Sequence, residues 1–390
     1  MGLHSYFADM HIHIGRDIYD QPVKITGSKK LTLTNILIEA SRRKGIHLIG
    51  VIDCQSPAVQ EEIHQLIHQG QAKELADGGI RFEQVTLLLG AEIEVNDEHC
   101  QGPMHVLCYF PSLKTIEAFT EWLTFRMKNV TLSTQRYYGS VKDLQYKVKE
   151  LGGIFILAHV FTPFKSLYGK GVHQSLTEVL DPDLIDGVEL GLSSDTMMAD
   201  QIPELHDYQF VSNSDAHSLA KIAREYQEIQ MEEPTFEDFY WALHEVKGRK
   251  ITKNYGMNPQ LGKYHTTVCD SCLEQHAAGT KQCSHCGSSK VIKGVSDRIL
   301  ELAEPSETQP ERPPYINQVP LEYLPKLGPK TYEKLLDHFD TEMNIIHHVQ
   351  LADLQAIVSD KLAQLIIQMR EGKMEISAGG GGKYGHIKSS

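Results

Sequence analysis

Apolar runs with strand character recur along the first two thirds of the chain, at residues 5–14, 47–53, 84–95, 105–110, 153–160, 186–190 and 209–213. Between them, residues 33–44, 58–76, 113–127 and 141–151 carry apolar positions at helical spacing and predict amphipathic helices. Strands apolar on both faces, alternating with helices, predict a parallel sheet with helices outside it. Seven such strands over residues 1–247 suit one closed but distorted (β/α)7 barrel better than two small α/β domains. The pattern then changes. Residues 248–302 lose periodicity and become basic, and 303–320 hold five prolines, which predicts a stiff, extended linker. Residues 321–390 read as a small helical domain ending in a glycine-rich tail around Gly379 and Lys383. No internal repeat is visible.

Composition narrows the class. Hydrophobic residues make up 41% and charged ones 23%, as in a globular protein. No apolar run approaches the ~18 residues of a membrane span, and no basic-then-apolar leader opens the chain. The expectation is a cytoplasmic protein with no membrane association. A net charge of -13 argues against a simple nucleic-acid binder. Yet residues 247–298 carry nine Lys/Arg against three acids, a basic segment beside an acidic domain. Bound divalent cations would offset part of that acidic field.

The candidate chemistry sits where the apolar runs end. In Asp9-Met10-His11-Ile12-His13 the two imidazoles share one strand face. Asp53, Glu92, His105, His159, Asp215 and His217 accompany the later runs. A single strand histidine is often only a satisfied core residue; recurrence at successive strand ends points to a metal centre on a barrel rim. His11, His13, Glu92, His105, His159, Asp215 and His217 are too many ligands for one ion, and a carboxylate such as Glu92 can bridge two. Two or three divalent ions suit in-line phosphoryl displacement.

Seven cysteines include two Cys-x-x-Cys pairs, Cys269/Cys272 and Cys283/Cys286. In a reducing compartment this spacing reads as a zinc ribbon or knuckle, with four thiolates closing a structural Zn²⁺ site. His265, His276 and His285 are alternatives only if a cysteine fails. Cys100 and Cys108 read as inert thiols. A third signal is Leu324-Pro325-Lys326-Leu327-Gly328-Pro329-Lys330, which is similar to the helix-hairpin-helix of DNA repair proteins but carries Lys326 where a first glycine is usual. Phe161 and Phe164, close after His159, are candidates for stacking on a base.

The order Asp9–His13, Ile52-Asp53, Gly90-Ala91-Glu92, His105, Ala158-His159 and Ser214-Asp215-Ala216-His217 resembles the polymerase-and-histidinol-phosphatase (PHP) superfamily of metal-dependent phosphoesterases. That resemblance implies a distorted seven-stranded barrel and metal roles for the seven residues above. Many members read Thr-Asp-His after the second strand, whereas this chain reads Ile52-Asp53-Cys54. Either Cys54 replaces the histidine or Asp53 binds alone; Asp17 matches another first-motif position loosely.

Barrel, four-cysteine module and helical domain in this order resemble the endonuclease Q group, with local likenesses at 158–163 and 189–195. The resemblance implies a DNA repair endonuclease. It would cleave 5′ to deaminated bases (uracil, hypoxanthine, xanthine) or abasic sites, with Zn²⁺, Mn²⁺ or Fe²⁺ in the barrel, or Mg²⁺ for activity. Asp215, His217 and Glu92 are the candidate catalytic residues. Two alternatives stand beside it: a small-molecule phosphatase of the histidinol-phosphate kind, and a non-catalytic nucleic-acid scaffold.

Overall fold

The seven apolar runs become the staves of a barrel. The computed structural model describes residues 2–262, 264–276, 281–306, 309–377 and 386–387; the glycine-rich stretch 379–385 lies outside them. The strands are β1 (His4–Ile12), β2 (Leu48–Val51), the hairpin β3 (Ala72–Glu74) and β4 (Ile80–Phe82), then β5 (Val85–Val95) and β6 (Met104–Phe110). They continue as β7 (Ile154–Leu157), β8 (Gly187–Glu189) and β9 (Phe210–Val211). The sheet runs β1-β2-β5-β6-β7-β8-β9. It closes where His13 N–H donates to Ala216 O and Ala216 N–H to His11 O, both at 3.1 Å.

The sheet is not all parallel, as the sequence pattern suggested. β6 pairs antiparallel with both β5 and β7. His105 therefore opens its strand instead of ending it, yet still reaches the rim where the parallel strands end. A register shift in β1 between Asp9 and Ile12 changes the phase of the strand. Below it Ala8 and Met10 join Leu48, Leu88, Leu107, Tyr109 and Ile156 in the small inner core. Above it His11 and His13 occupy the side that faces the other ligand candidates.

Helices α1 (Leu33–Ile38), α2 (Pro57–His68), α3 (Leu113–Thr124) and α4 (Val141–Glu150) cover the barrel. α2 is shorter than its periodicity predicts: the chain turns at Gly70 (φ +71°) and residues 72–82 form the β3–β4 hairpin. Short α5 (Thr196–Ala199) and α6 (Phe236–Leu243) follow. Strands β10 (Tyr226–Met231) and β11 (Lys250–Gly256) extend the sheet from the lower half of β1.

The basic segment carries a two-stranded ribbon, β12 (Val268–Cys269) with β13 (Val291–Ile292), and α7 (Val295–Leu302). The proline-rich stretch is packed on the barrel. Its β14 (Tyr315–Asn317) pairs parallel with β11, and Arg312 binds Asp200 at 2.9 Å. Beyond it come α8 (Pro329–Phe339), α9 (Glu342–His347), α10 (Leu351–Ile357) and α11 (Asp360–Arg370). These helices share the large outer core with the barrel. Lys44 Nζ meets Glu342 Oε2 at 2.5 Å with both side chains buried, and the Phe7 and His347 rings stack at 4.5 Å.

Candidate metal centre and adjoining cavity

Neighbouring staves deliver the rim side chains to one place. His11 and His13 come from the end of β1, Glu92 from β5, His105 from the start of β6 and His159 from just after β7. Asp215 and His217 follow β9 beside the closing hydrogen bonds. Their donor atoms fall into three groups, each within 4.8 Å: His11/His13/Glu92, His13/Asp215/His217 and Glu92/His105/His159.

The separations fit ion ligation. His11 Nε2 is 3.7 Å from Glu92 Oε1 and 3.5 Å from Asp215 Oδ1, and His13 Nε2 is 3.6 Å from Glu92 Oε2 and 3.5 Å from Asp215 Oδ1. These distances exceed hydrogen bonds, but two ligands each about 2.1 Å from one tetrahedral ion stand about 3.4 Å apart. His11 Nε2 is buried without any hydrogen-bond partner, whereas His105 meets Glu92 Oε1 through Nδ1 at 2.9 Å and its Nε2 lies 3.7 Å from Glu94. A buried, orphaned imidazole nitrogen facing carboxylates is the signature of a ligand position.

The opposite ring nitrogens are anchored. His11 Nδ1 meets Glu189 Oε1 at 2.9 Å, and His13 Nδ1 meets Asp53 Oδ2 at 3.2 Å and Ser133 Oγ at 3.1 Å. His159 Nδ1 pairs with Thr162 Oγ1 at 3.0 Å, and His217 Nδ1 with Thr26 Oγ1 at 3.1 Å. Such partners fix the tautomer and aim the free nitrogen. Because His13 has only Nε2 to offer, the first two groups compete for it. Glu92 can serve two groups at once: Oε1 faces His105 and His159, and Oε2 faces His13.

Burial pushes Glu92 upward, yet His105 and Lys24 hold it well below the usual carboxylate range. Desolvation likewise opposes Asp215, and His11, His13 and His217 outweigh it. Burial depresses His11, but Glu189, Asp215 and Glu92 carry it up to about 10. The cluster is thus anionic carboxylate held against imidazole protons, and cations can exchange for those protons. Two residues of these groups adopt left-handed backbone: His159 at φ +28° and Asp215 at φ +45°. Gly191 accommodates the first, since a Cβ there would lie 2.8 Å from His159 Cβ.

Several residues from the sequence stand elsewhere. Cys54 donates to Val51 O at 3.1 Å inside the outer core, and burial raises its thiol far above the ordinary value. It is not aimed at the cluster. Asp53 Oδ2 accepts from Ile14 N–H at 2.7 Å and stands behind His13. Asp17 holds a local turn through Tyr19 and Gln21 N–H. Glu189 was visible in sequence only as part of a local likeness; its position at the end of β8 was the signal for a site role.

A cavity of ≈ 780 Å³ opens directly off the cluster, with His159, Glu189 and Asp215 in its wall. Phe164, Tyr264, Lys221 and Tyr323 also line it. Phe164 is half-exposed and meets Tyr264 edge-on at 5.3 Å, whereas Phe161 is buried against Tyr168. The four cysteine sulfurs also converge, Cys269 to Cys286 at 3.5 Å and Cys272 to Cys283 at 3.6 Å. A tetrahedral Zn–S distance of about 2.3 Å implies S···S edges of about 3.8 Å. Backbone N–H groups of Cys272 and Ser271 draw the Cys269 thiol down to about 6. In the hairpin-like stretch, Lys326 takes φ +71°, the conformation a glycine would favour, and Gly328 caps α8.

Comparison with known proteins agrees with this geometry. A family model described as PHP-associated matches residues 194–247. The uncharacterized protein YqxK of Bacillus subtilis (strain 168) is 51% identical over 382 residues, covering 98% of this chain and 99% of that protein. The lesion-specific endonuclease PfuEndoQ from Pyrococcus furiosus is 30% identical, with a TM-score of 0.85 over 99% of this chain and 95% of that one. Endonuclease Q in complex with a 27-mer duplex substrate bearing an abasic lesion at the active site is likewise 30% identical, with a TM-score of 0.84 over 99% and 97%.

Proposed function

Because this chain belongs to the endonuclease Q family of PHP-type metal-dependent nucleases, we propose that it nicks duplex DNA on the 5′ side of an abasic site or a deaminated base. The observation that carries this reading is the cavity that shares His159 and Asp215 with the candidate ligand groups and is also lined by Glu189, the partner of His11. An enzyme choosing one damaged nucleotide must take it out of the stack. A chamber of ≈ 780 Å³ beside the cluster would receive it while the adjoining phosphate meets the ligands. Phe164 and Tyr264 would offer aromatic surface to the extruded base. Uracil, hypoxanthine and xanthine share a carbonyl where cytosine, adenine and guanine carry an amino group. A wall that donates a hydrogen bond to that carbonyl would discriminate against the amino group, and an abasic site would enter with no base to reject.

His11, His13 and Glu92 would hold one ion and Glu92, His105 and His159 a second, with Asp215 and His217 completing a third position. Bound there, divalent ions such as Zn²⁺, Mn²⁺ or Fe²⁺ supply a nucleophile at neutral pH and absorb charge as the phosphate is attacked. The chain's own part is positional. Glu189 and Asp53 keep His11 and His13 in the tautomer that frees Nε2. Asp215 stays ionised, so it can order water at the rim. The four cysteines would close a structural Zn²⁺ site, and their free thiols fit a reducing, cytoplasmic setting.

The test is a labelled duplex with one abasic site, or one deoxyuridine, incubated with Mg²⁺ or Mn²⁺. The expected product is a single nick 5′ to the lesion, leaving 3′-hydroxyl and 5′-phosphate. If both lesion duplexes and a hypoxanthine duplex stay intact, the reading fails.

A further inference from the structure

Lys24 lies on the loop between β1 and α1. Its ammonium is 2.6 Å from Thr134 Oγ1 and 3.3 Å from Glu92 Oε2, and its side chain is 16% exposed. Glu92 is the carboxylate shared by two of the ligand groups. The lysine's charge also acts on Asp53, His13 and His105.

A structural ion pair explains a lysine beside one carboxylate; three further features are left over. Among the described residues, Lys24 is the one lysine or arginine that pairs with a carboxylate of the three ligand groups. Its partner Thr134 is β-branched yet held at φ +53°, a conformation such residues avoid. That turn brings the Thr134 hydroxyl against both Lys24 and Glu92, and sets the neighbouring Ser133 Oγ on His13. Finally, an ammonium has three N–H donors. Two have partners here, one remains to be met, and the side chain is partly exposed.

We propose that Lys24 is a catalytic residue of phosphodiester cleavage: its ammonium binds a non-bridging oxygen of the scissile phosphate, and Thr134 is the positioning residue that holds it. This rests on the phosphodiesterase reading above. In the step itself, a water oxygen bonds to phosphorus as the bond from phosphorus to the 3′-oxygen breaks. The water's proton passes to solvent, and the departing 3′-oxygen takes a proton from solvent. Lys24 keeps its own proton throughout. Its role is to offset charge that grows on the non-bridging oxygen, where a fixed cation is worth most.

The experiment compares wild type, Lys24→Met and Lys24→Arg on an abasic duplex with a single phosphorothioate of defined chirality at the scissile position. Lys24→Met should cut the all-oxygen duplex ~10²–10³-fold more slowly at saturating enzyme. Its metal content by atomic emission and its affinity for the duplex should match wild type. Sulfur is a weaker acceptor, so one diastereomer should slow wild type and Lys24→Arg, while the same sulfur costs Lys24→Met nothing further. A sulfur penalty that persists undiminished in Lys24→Met overturns the proposal, and so does loss of metal from that variant. If wild type nicks none of the abasic, deoxyuridine and hypoxanthine duplexes, the lesion-nuclease reading has fallen separately. Bis(p-nitrophenyl) phosphate then carries the Lys24 test, with equal hydrolysis by wild type and Lys24→Met overturning it.

Discussion

The barrel rim and the four-cysteine module both gather metal-ligand side chains, but from opposite ends of the scale of chain distance. The rim draws its donors from positions 11 to 217, delivered by successive strands and anchored behind by Glu189, Asp53, Ser133, Thr162 and Thr26. The module draws four thiols from 269 to 286, on a ribbon whose strands are two residues long. Remove every ion, and the rim still has a closed seven-strand barrel to hold its shape. The module keeps a turn or two and little core. One centre is organised by the fold; the other would organise its own fold, since a small segment with few buried apolar groups gains stability from the ion itself.

The largest effects should separate the two. Asp215→Ala removes a proposed ligand from a site the barrel keeps open, so cleavage of an abasic duplex should fall ~10²–10³-fold while the duplex still binds. Thermal unfolding should change little. Cys286→Ser should do the reverse: hydrogen exchange through residues 264–294 should accelerate and duplex affinity should drop, with the barrel's unfolding temperature preserved. A Cys286→Ser enzyme that binds duplex normally but cannot cut would break the distinction between the two centres.

Glu189→Gln tests how far the rim's organisation extends beyond its ligands. Glutamine can still accept from His11 Nδ1–H, but it no longer balances charge on the ring. Outer partners of metal-bound histidines are worth ~10–100-fold in metal affinity or activity. The expected result lies in that range, read as weaker metal retention on titration with a competing chelator. Retention equal to wild type would mean that ligand spacing alone sets the site.

The same contrast decides what was legible in the sequence. The clustering of the four cysteines was readable outright, because its information is local: spacing and chemistry are contained in eighteen consecutive residues. The rim ligands were readable as residue types beside apolar runs, and the structure brings His11, His13, Glu92, His105, His159, Asp215 and His217 together. Their supports were less readable. Glu189 announces itself only once β8 stands next to β1's imidazole, across 178 positions. The phase change in β1 depends on a partner strand, and the reversed direction of β6 leaves no mark in periodicity. Cys54 looked like a ligand replacement because of its neighbour Asp53, whereas its side chain falls on the other face of the strand end. Lys44 and Glu342 form a buried pair 298 positions apart, so nothing local in the sequence shows that the helices after residue 321 share the barrel's outer core.

The smallest expected effect lies at the join between the two centres. Glu225 precedes β10 and is fully buried; Oε1 accepts from Met257 N–H at 2.9 Å, and Oε2 has no partner. Met257 lines the cavity and begins the run toward the module. Burial pushes the Glu225 carboxyl up from 4.5 to about 8. A raised folded value means that folding retains a proton the unfolded chain releases. The associated stability is therefore full below about pH 4.5 and drains away as pH rises to about 8, at ~1.4 kcal/mol per unit of difference. Glu225→Gln keeps the acceptor and the neutral charge at every pH. With the metal sites kept saturated, the variant should melt with wild type near pH 5 and ~5 °C above it at pH 8. Superimposable melting curves across that range would show Glu225 ionised in the folded chain. The join would then tolerate a charge, and the barrel would pass to the module through a wetter seam than its burial implies.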